Sequence, residues 1–429
     1  MKNTFLTLSL LASGAVLSAA NVSNVTVTRN ETTKLVLVTY ELSEPAIVTG
    51  VLMTNGAPVV THSLGGVINK YVEAAGTHVF CWQPRESDGG FAVDANTLTA
   101  EVKSWTLETP PAYMTVEIGN RMLRRYYNAA EALPEGVESD RYRQKEFLLR
   151  HIPAAGKCCR LGANPAEYGV NSQANCSEPS RYVSFTNDYY LGVFEMTQAQ
   201  FERFMANPSA DAIGPNYPVN NFGYEGALRG WRSSGCRWPQ DGHSTAGGTF
   251  LTALRAGYSW KYVFDLPTEA QWEFAARAGS DTELPFNVRA TNDTSLAEAL
   301  LPYAWTQDNG GNKLHEVGLK RPNGFRLYDM LGNADEAVLD SWKEAENATL
   351  CQSVLIGDGH PIEPSGWETT EREQFIVRGG SVNDSSDRSY RLSSRAGCAY
   401  RASVRTYGSF RLWCPLPTEQ GPSLPAPIN

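Results

Sequence analysis

The sequence predicts an α+β protein in two parts: an N-terminal β-sandwich, then a larger unit of short strands, two main helices and much irregular chain. Three observations predict it. Residues 21–106 alternate β-branched runs with turn-formers. Two Thr-x-x-Gln signatures, at Thr197 and Thr268, mark helix starts in the second half. The 37 Gly and 24 Pro favour turns and short strands over long helices.

Residues 1–20 read as a signal peptide. Lys2 supplies a charged start, Phe5 to Val16 a short apolar stretch, and Ser18-Ala19-Ala20 a small-residue cleavage site. The apolar stretch is too short for a bilayer, and no later run reaches about 18 uninterrupted apolar residues, so no membrane span is expected. No Cys follows the signal, so a lipid anchor is not indicated. The expected location is secreted, or periplasmic and cell-envelope. The net charge is −9, which disfavours nucleic acid as a partner because phosphate binding needs a basic surface.

Residues 21–106 contain Asn24-Val25-Thr26-Val27-Thr28 and Leu35-Val36-Leu37-Val38-Thr39-Tyr40, separated by Arg29-Asn30-Glu31, with a further turn at Asn55-Gly56. Short strands at this spacing suggest a sandwich of immunoglobulin or fibronectin type. No catalytic constellation stands in it, and a spacer or adhesion module is the simplest reading. Glu108-Thr109-Pro110-Pro111 reads as a hinge. Residues 107–154 read as linker and connector, with helical patterns over Arg121–Leu133 and Arg141–Leu149.

Beyond Ile152, Tyr182–Phe185 and Tyr189–Glu195 read as strands. Thr197 caps a helix running to about Met205 with Gln200 as its reciprocal partner, and Thr268 repeats the device with Gln271. In the second helix Trp272, Ala275 and Ala276 form one buried stripe, and Gly279 ends it.

Five motifs follow one another over residues 155–414. They are Asn187–Gly192 with Glu195-Met196-Thr197-Gln198; Leu266–Arg277; Pro322-Asn323 with Leu327–Glu336; Val377-Arg378-Gly379-Gly380-Ser381; and Ser409-Phe410-Arg411-Leu412. In this order they resemble the formylglycine-generating enzyme, or sulfatase-modifying factor, family. The resemblance implies a C-type-lectin-like fold over 155–414, with 415–429 as a tail. Gly379-Gly380 suggests positive φ or a close backbone approach. Arg378, Arg391, Arg395, Arg401, Arg405 and Arg411 form an unusual series. Pairing with carboxylates such as Glu269 or Glu273 would brace loops internally, and ligand binding is the alternative.

The resemblance also implies a structural calcium site at matching positions: Asp329 and Glu336 through side chains, Gly332 and Ala334 through carbonyls. Hard oxygen donors on one tight loop suit calcium, and a solvated acidic turn is the alternative. A second family calcium site would lie near Trp305–Asn312. The family's active enzymes hold copper on two cysteines five residues apart after the Gly-Gly-Ser strand, thiolates suiting a soft metal. The corresponding residues here are Asp384 and Ser389. Neither is a thiolate and Cys398 alone cannot replace two, so copper is not expected and no catalytic or cofactor-binding residue is assigned. The eight cysteines show no CxxC spacing. Adjacent Cys158 and Cys159 rarely meet disulfide geometry with each other, and a partnership of one of them with Cys176 is the alternative. His62, His78, His151, His243, His315 and His360 are scattered without metal-ligand spacing.

Three functions fit. One is an exported family member without oxidase chemistry that binds a protein or glycan ligand, with Val382–Gly408 as its surface. Another is an oxidase that matures exported sulfatases. The last is a structural cell-surface protein.

Overall fold

The computed structural model describes residues 20–59, 61, 64–85, 93–119, 124–162, 181–210, 212–230, 235–236, 241–257, 263–342, 374–395, 397–400 and 404–416. The expected signal peptide, the bulk of the tail, and His62, Cys176, Cys351, His360 and Arg401 lie outside the described residues.

The first strands are β1 (Val22–Arg29), β2 (Val36–Leu42), β3 (Ala46–Thr54), β4 (Ala57–Pro58), β5 (Gly65–Gly66), β6 (Lys70–Val72), β7 (Gly76–Trp82) and β8 (Leu98–Trp105). One sheet has the order β1-β2-β7-β5; in the other, β3 pairs β4 and β6 along one edge and β8 along the opposite edge. Alternation decides which face is buried: Val36, Val38, Tyr40 and Leu42 of β2 point inward, as period two requires. They meet Ala46, Val48 and Leu52 of β3 and Phe80 and Trp82 of β7 in one core. Asn55 and Gly56 both take positive φ, 50° and 78°, in the turn joining β3 to β4. This is the tight hairpin geometry that Asn-Gly favours.

The segment expected to be a connector is instead part of the main sheet. The strands β9 (Tyr113–Glu117), β10 (Arg124–Tyr127), β11 (Glu146–Ile152), β12 (Cys158–Leu161), β13 (Arg181–Ser184) and β14 (Tyr189–Gly192) follow. With β21 (Trp413–Pro415), β9, β10, β11 and β14 build a five-stranded sheet of order β10-β9-β11-β14-β21, while β12 and β13 pair with each other in a separate two-stranded sheet. The helical reading of Arg121–Leu133 gives way to β10, because Arg124–Tyr127 find ladder partners on β9 from Tyr113 to Val116. That of Arg141–Leu149 shrinks to α1 (Arg141–Gln144), because Phe147–Leu149 lie buried between β9 and β14. Nor is Glu108–Pro111 loose throughout: Pro110 and Pro111 are buried, and Tyr190 Oη donates to the Pro111 carbonyl at 2.9 Å. Ile47 joins the same core as Met114, Val116 and Tyr190, and Tyr71 and Trp105 pack against it.

Short pieces complete the chain: α2 (Gln198–Phe201), β15 (Phe222–Gly223), α3 (Phe250–Gly257), α4 (Glu269–Arg277), α5 (Asp293–Leu300) and α6 (Gln307–Gly310). The strands β16 (Asp335–Trp342), β17 (Gln374–Arg378), β18 (Gly397–Tyr400), β19 (Val404–Arg405) and β20 (Gly408–Ser409) follow. Both expected capping boxes are present, at Thr197/Gln200 and Thr268/Gln271. The first helix stops at Phe201 rather than near Met205. The second ends as expected, with Ala278 and Gly279 in positive φ. A second sheet runs β18-β17-β16-β20, with β16 and β20 parallel. The whole is mixed α and β, mostly sheet with few helices. Among the described residues no helix is long and apolar enough to cross a membrane.

Candidate functional site

The polar centre of the protein is assembled where β17 ends. Arg378, its last residue, is fully buried. Its Nη2 donates to Glu273 Oε2 at 2.7 Å and to the Leu392 carbonyl at 2.9 Å, and Nη1 donates to the carbonyls of Ser393 and Ser394. Arg395 donates to both oxygens of Glu269, at 2.6 and 2.8 Å. Arginines from the end of β17 and from the chain after it therefore clamp onto α4. Glu269 sits in the first turn of that helix, where the positive end of the dipole also favours it. Arg405 pairs with Asp335, and Arg411 with Glu336. A guanidinium fork satisfies several acceptors at once, and here those acceptors are internal. The geometry matches bracing of loops for these four arginines.

Glycines let two motifs touch. Gly332 (φ 75°) donates its N–H to the Gly379 carbonyl at 2.9 Å, and a Cβ on Gly332 would stand 2.3 Å from the Trp305 carbonyl oxygen. Gly379 and Gly380 take φ of 90° and 74°, and a Cβ on Gly380 would stand 2.8 Å from the Tyr390 ring. Only glycine fits such positions without strain. Asp384 and Ser389, the residues expected in place of a cysteine pair, lie just beyond. Asp384 Oδ2 accepts from Ser381 N at 2.6 Å and from Ser381 Oγ at 3.3 Å. Burial pushes its carboxyl up and the hydrogen bonds from Ser381 oppose this. Ser389 lies in a 3-10 turn, and its N–H is bonded to the Ser386 carbonyl at 3.0 Å. Tyr390 Oη bonds the carbonyls of Ser381 (2.7 Å) and Asp384 (3.1 Å), so the turn is closed on itself.

The four expected calcium positions lie on the loop entering β16 and, for Glu336, within that strand. Asp329 is buried. Its Oδ2 accepts from Gly318 N at 2.6 Å, while its Oδ1 has no hydrogen-bond partner. Glu336 accepts from Trp272 Nε1 (2.8 Å) and from Arg411 on both oxygens. Sequence reasoning missed a third carboxylate. Glu195, fully buried, accepts from Asn333 Nδ2 at 2.6 Å and from Ala334 N at 3.0 Å. Its signal was a charged residue next to a strand of buried aromatics. Burial, then Asp329 and Glu336, push the Glu195 carboxyl well above the usual range. Burial pushes Asp329 up to about 6 despite Gly318 and Arg411. Among the described residues no group of three or more His, Cys, Asp or Glu side chains is arranged to hold a metal. The expected set has two side-chain donors and two carbonyls. Asp329 Oδ1 is an orphaned buried carboxylate oxygen, and Asp329, Glu195 and Glu336 surround the one Arg411 guanidinium.

A second buried network was also not anticipated. Asp265 accepts from Arg229 Nε (3.0 Å) and His243 Nδ1 (2.8 Å), with Arg255 Nη2 at 3.1 Å. Burial alone would raise its carboxyl, yet Arg229, His243 and Arg255 together hold it well below the usual range. His243 stacks on Trp413 with centroids 5.0 Å apart. The network ties the chain entering α4 to α3 and to the segments before it, with His243 packed on β21, and is a brace.

Comparison with known proteins bears on the same residues. The formylglycine-generating enzyme of Thermomonospora curvata is 30% identical over 153 residues, 34% of this chain and 48% of that protein. The mouse (Mus musculus) protein named Inactive C-alpha-formylglycine-generating enzyme 2 is 31% identical over 137 residues, 31% of this chain and 43% of its own. The chain thus spans about half the length of the curated relatives it matches. Among solved structures, Treponema denticola variable protein 1 aligns with a TM-score of 0.44 and 24% identity, over 63% of this chain and 95% of that one. The family model described as Sulfatase-modifying factor enzyme 1-like domain matches residues 159–414, more than half of the chain, and the protein therefore belongs to that family.

Proposed function

We propose that the protein is an exported member of this family that lacks oxidase chemistry and acts as a binding module. One observation carries the reading: Asp384, which by the resemblance stands for the first copper cysteine, is a carboxylate bonded to Ser381 within its own turn. A carboxylate and a hydroxyl are poor ligands for a soft monovalent metal. The mouse relative whose name begins with "Inactive" gives the reading a parallel. The ligand would be a protein, exported sulfatases included, or a glycan. It would meet the chain after β17, where Ser, Tyr, Asp and Arg offer adaptable polar contacts. The two N-terminal sheets would form a sandwich-type module that supports this surface, and residues 1–20 would direct export.

The test is incubation of the mature protein with a cysteine-containing sulfatase peptide and copper(I), read by mass spectrometry. An unchanged peptide is expected. Loss of thiol with gain of aldehyde would show that other residues have rebuilt the oxidase site. A glycan array and a sulfatase pull-down then separate the binding module, which gives a ligand, from a purely structural protein, which gives none.

Calcium at the loop entering β16 belongs to the same proposal, with Asp329 and Glu336 as side-chain ligands and Gly332 and Ala334 as carbonyl ligands. It would balance charge that Arg411 leaves unmatched. Calcium at 100 times its Kd should then stabilise the fold by about 2.7 kcal/mol. Thermal melts with calcium and with chelator should differ in wild type and coincide in Asp329→Asn. Coincidence in the wild type would remove calcium from the proposal.

A further inference from the structure

A cavity of about 330 Å³ opens where the N-terminal sheets meet the main sheet. That is the lower end of the range for small-molecule sites, about 300–1,000 Å³. One wall is β3 with the chain after it, presenting Val51, Leu52 and Leu64; the other is β10 with the turn after it, presenting Arg125, Tyr127 and Leu133. The walls are fixed to each other. Asn69, in positive φ, accepts from Gly50 N on its side-chain oxygen at 3.0 Å, and its carbonyl accepts from Tyr126 N at 2.9 Å. A Cβ on Gly50 would stand 2.9 Å from the end of the Ile68 side chain, which would have to move to admit it.

Three of the four charged residues lining the cavity have an ion-pair contact, Arg141 being shared by two carboxylates. Arg141 pairs with Glu146, and its Nη1 lies 3.7 Å from Glu135; Glu131 lies 3.7 Å from Arg326 at the surface. Arg125 is half-buried and has no hydrogen-bond or ion-pair partner among the described residues. A bound anion would give this guanidinium an acceptor in a charge-assisted hydrogen bond. We propose that this cavity is a binding site for a small amphipathic carboxylate, its apolar body against Val51, Leu52, Leu64 and Leu133 and its carboxylate on Arg125. The site is separate from the turn after β17 and does not depend on the function proposed for it. Because both walls are already hydrogen-bonded together, binding demands little ordering of the protein.

Octanoate and 1-octanol, titrated calorimetrically into the full-length protein, test this. Octanoate should bind, and Arg125→Met should weaken it by about ten- to a hundredfold, the value of a charge-assisted hydrogen bond. Octanol should bind more weakly and be indifferent to R125M. Val51→Phe, which fills the cavity, should abolish octanoate binding while leaving Arg125 in place. Absence of octanoate binding in the wild type would overturn the proposal. So would equal affinity in R125M, or undiminished binding in V51F. Should R125M fail to fold by circular dichroism, Arg125→Lys replaces it, and an unchanged affinity for octanoate over octanol in that variant counts against the guanidinium as the anchor.

Discussion

Glu273 shows what the buried polar residues do. It receives Arg378 on one oxygen at 2.7 Å and Arg277 on the other at 2.8 Å, with almost no exposure to water. Removing Arg378 leaves Glu273 Oε2 without its charged partner while Arg277 and Gly162 still hold Oε1, and breaking one partner of a buried pair costs about 3–5 kcal/mol. Arg378→Met should therefore lower the urea-unfolding free energy by that much, and a loss under 1 kcal/mol would mean Glu273 is satisfied elsewhere. Asp335 makes a prediction about pH. Burial holds its carboxyl up at about 6 against the opposing pull of Arg405. The folded protein thus keeps this proton at a pH where the unfolded chain, titrating near about 4, has lost it. The stability it contributes is fully present below about 4 and is lost as pH rises through about 6. Asp335→Asn should flatten part of the stability profile in that window. Asp329 titrates there for the same reason, so a double Asn variant should flatten more. The arginine pairing with Glu269 and Glu273 was legible in the sequence, because so many arginines in an acidic chain need carboxylates. Glu195 was not, because nothing in its neighbours announces that Asn333 and Ala334 arrive beside it from about 140 residues away.

Elements follow local signals where those signals are strong. Thr268 accepts from Gln271 N at 3.2 Å while Gln271 Oε1 accepts from Thr268 N at 2.9 Å, the reciprocal cap its spacing foretold. Thr268→Ala should cost about 1 kcal/mol, measured by denaturant midpoint. Gly332→Ala tests close approach. A methyl group 2.3 Å from the Trp305 carbonyl in a positive-φ residue cannot be accommodated without moving the loop. Its expected outcome is insoluble protein, or a melting temperature lower by far more than for T268A. Weak signals failed at this scale. The spacing over Arg121–Leu133 looked helical, but Arg124–Tyr127 form an edge strand because β9 offers a ladder. The capping boxes of α5 and α6 use Asn292/Ser295 and Thr306/Asn309, pairings outside the Thr-x-x-Gln pattern, and these helices went unread.

At the scale of the whole molecule, the two parts share a core. Ile47 lies with Met114, Val116 and Tyr190, and Trp105 and Tyr71 pack against them. Scanning calorimetry should therefore show one transition rather than two, and Ile47→Ala should lower it as a unit by about 2–5 kcal/mol. Two separated transitions would mean that the N-terminal sheets unfold independently.

From the sequence alone came the family motifs, the order of its glycine and arginine signals, the two Thr-capped helices and the hairpin at Asn55-Gly56. Each rests on residues within a few positions of one another, where propensity and capping chemistry act without help. The tertiary structure alone decided that residues 107–154 enter the main sheet, that Glu195 joins Asp329 and Glu336, and that Arg125 faces a cavity between two sheets. Those outcomes depend on burial and on partners distant in the chain, and no local pattern encodes which distant strand or carboxylate will arrive.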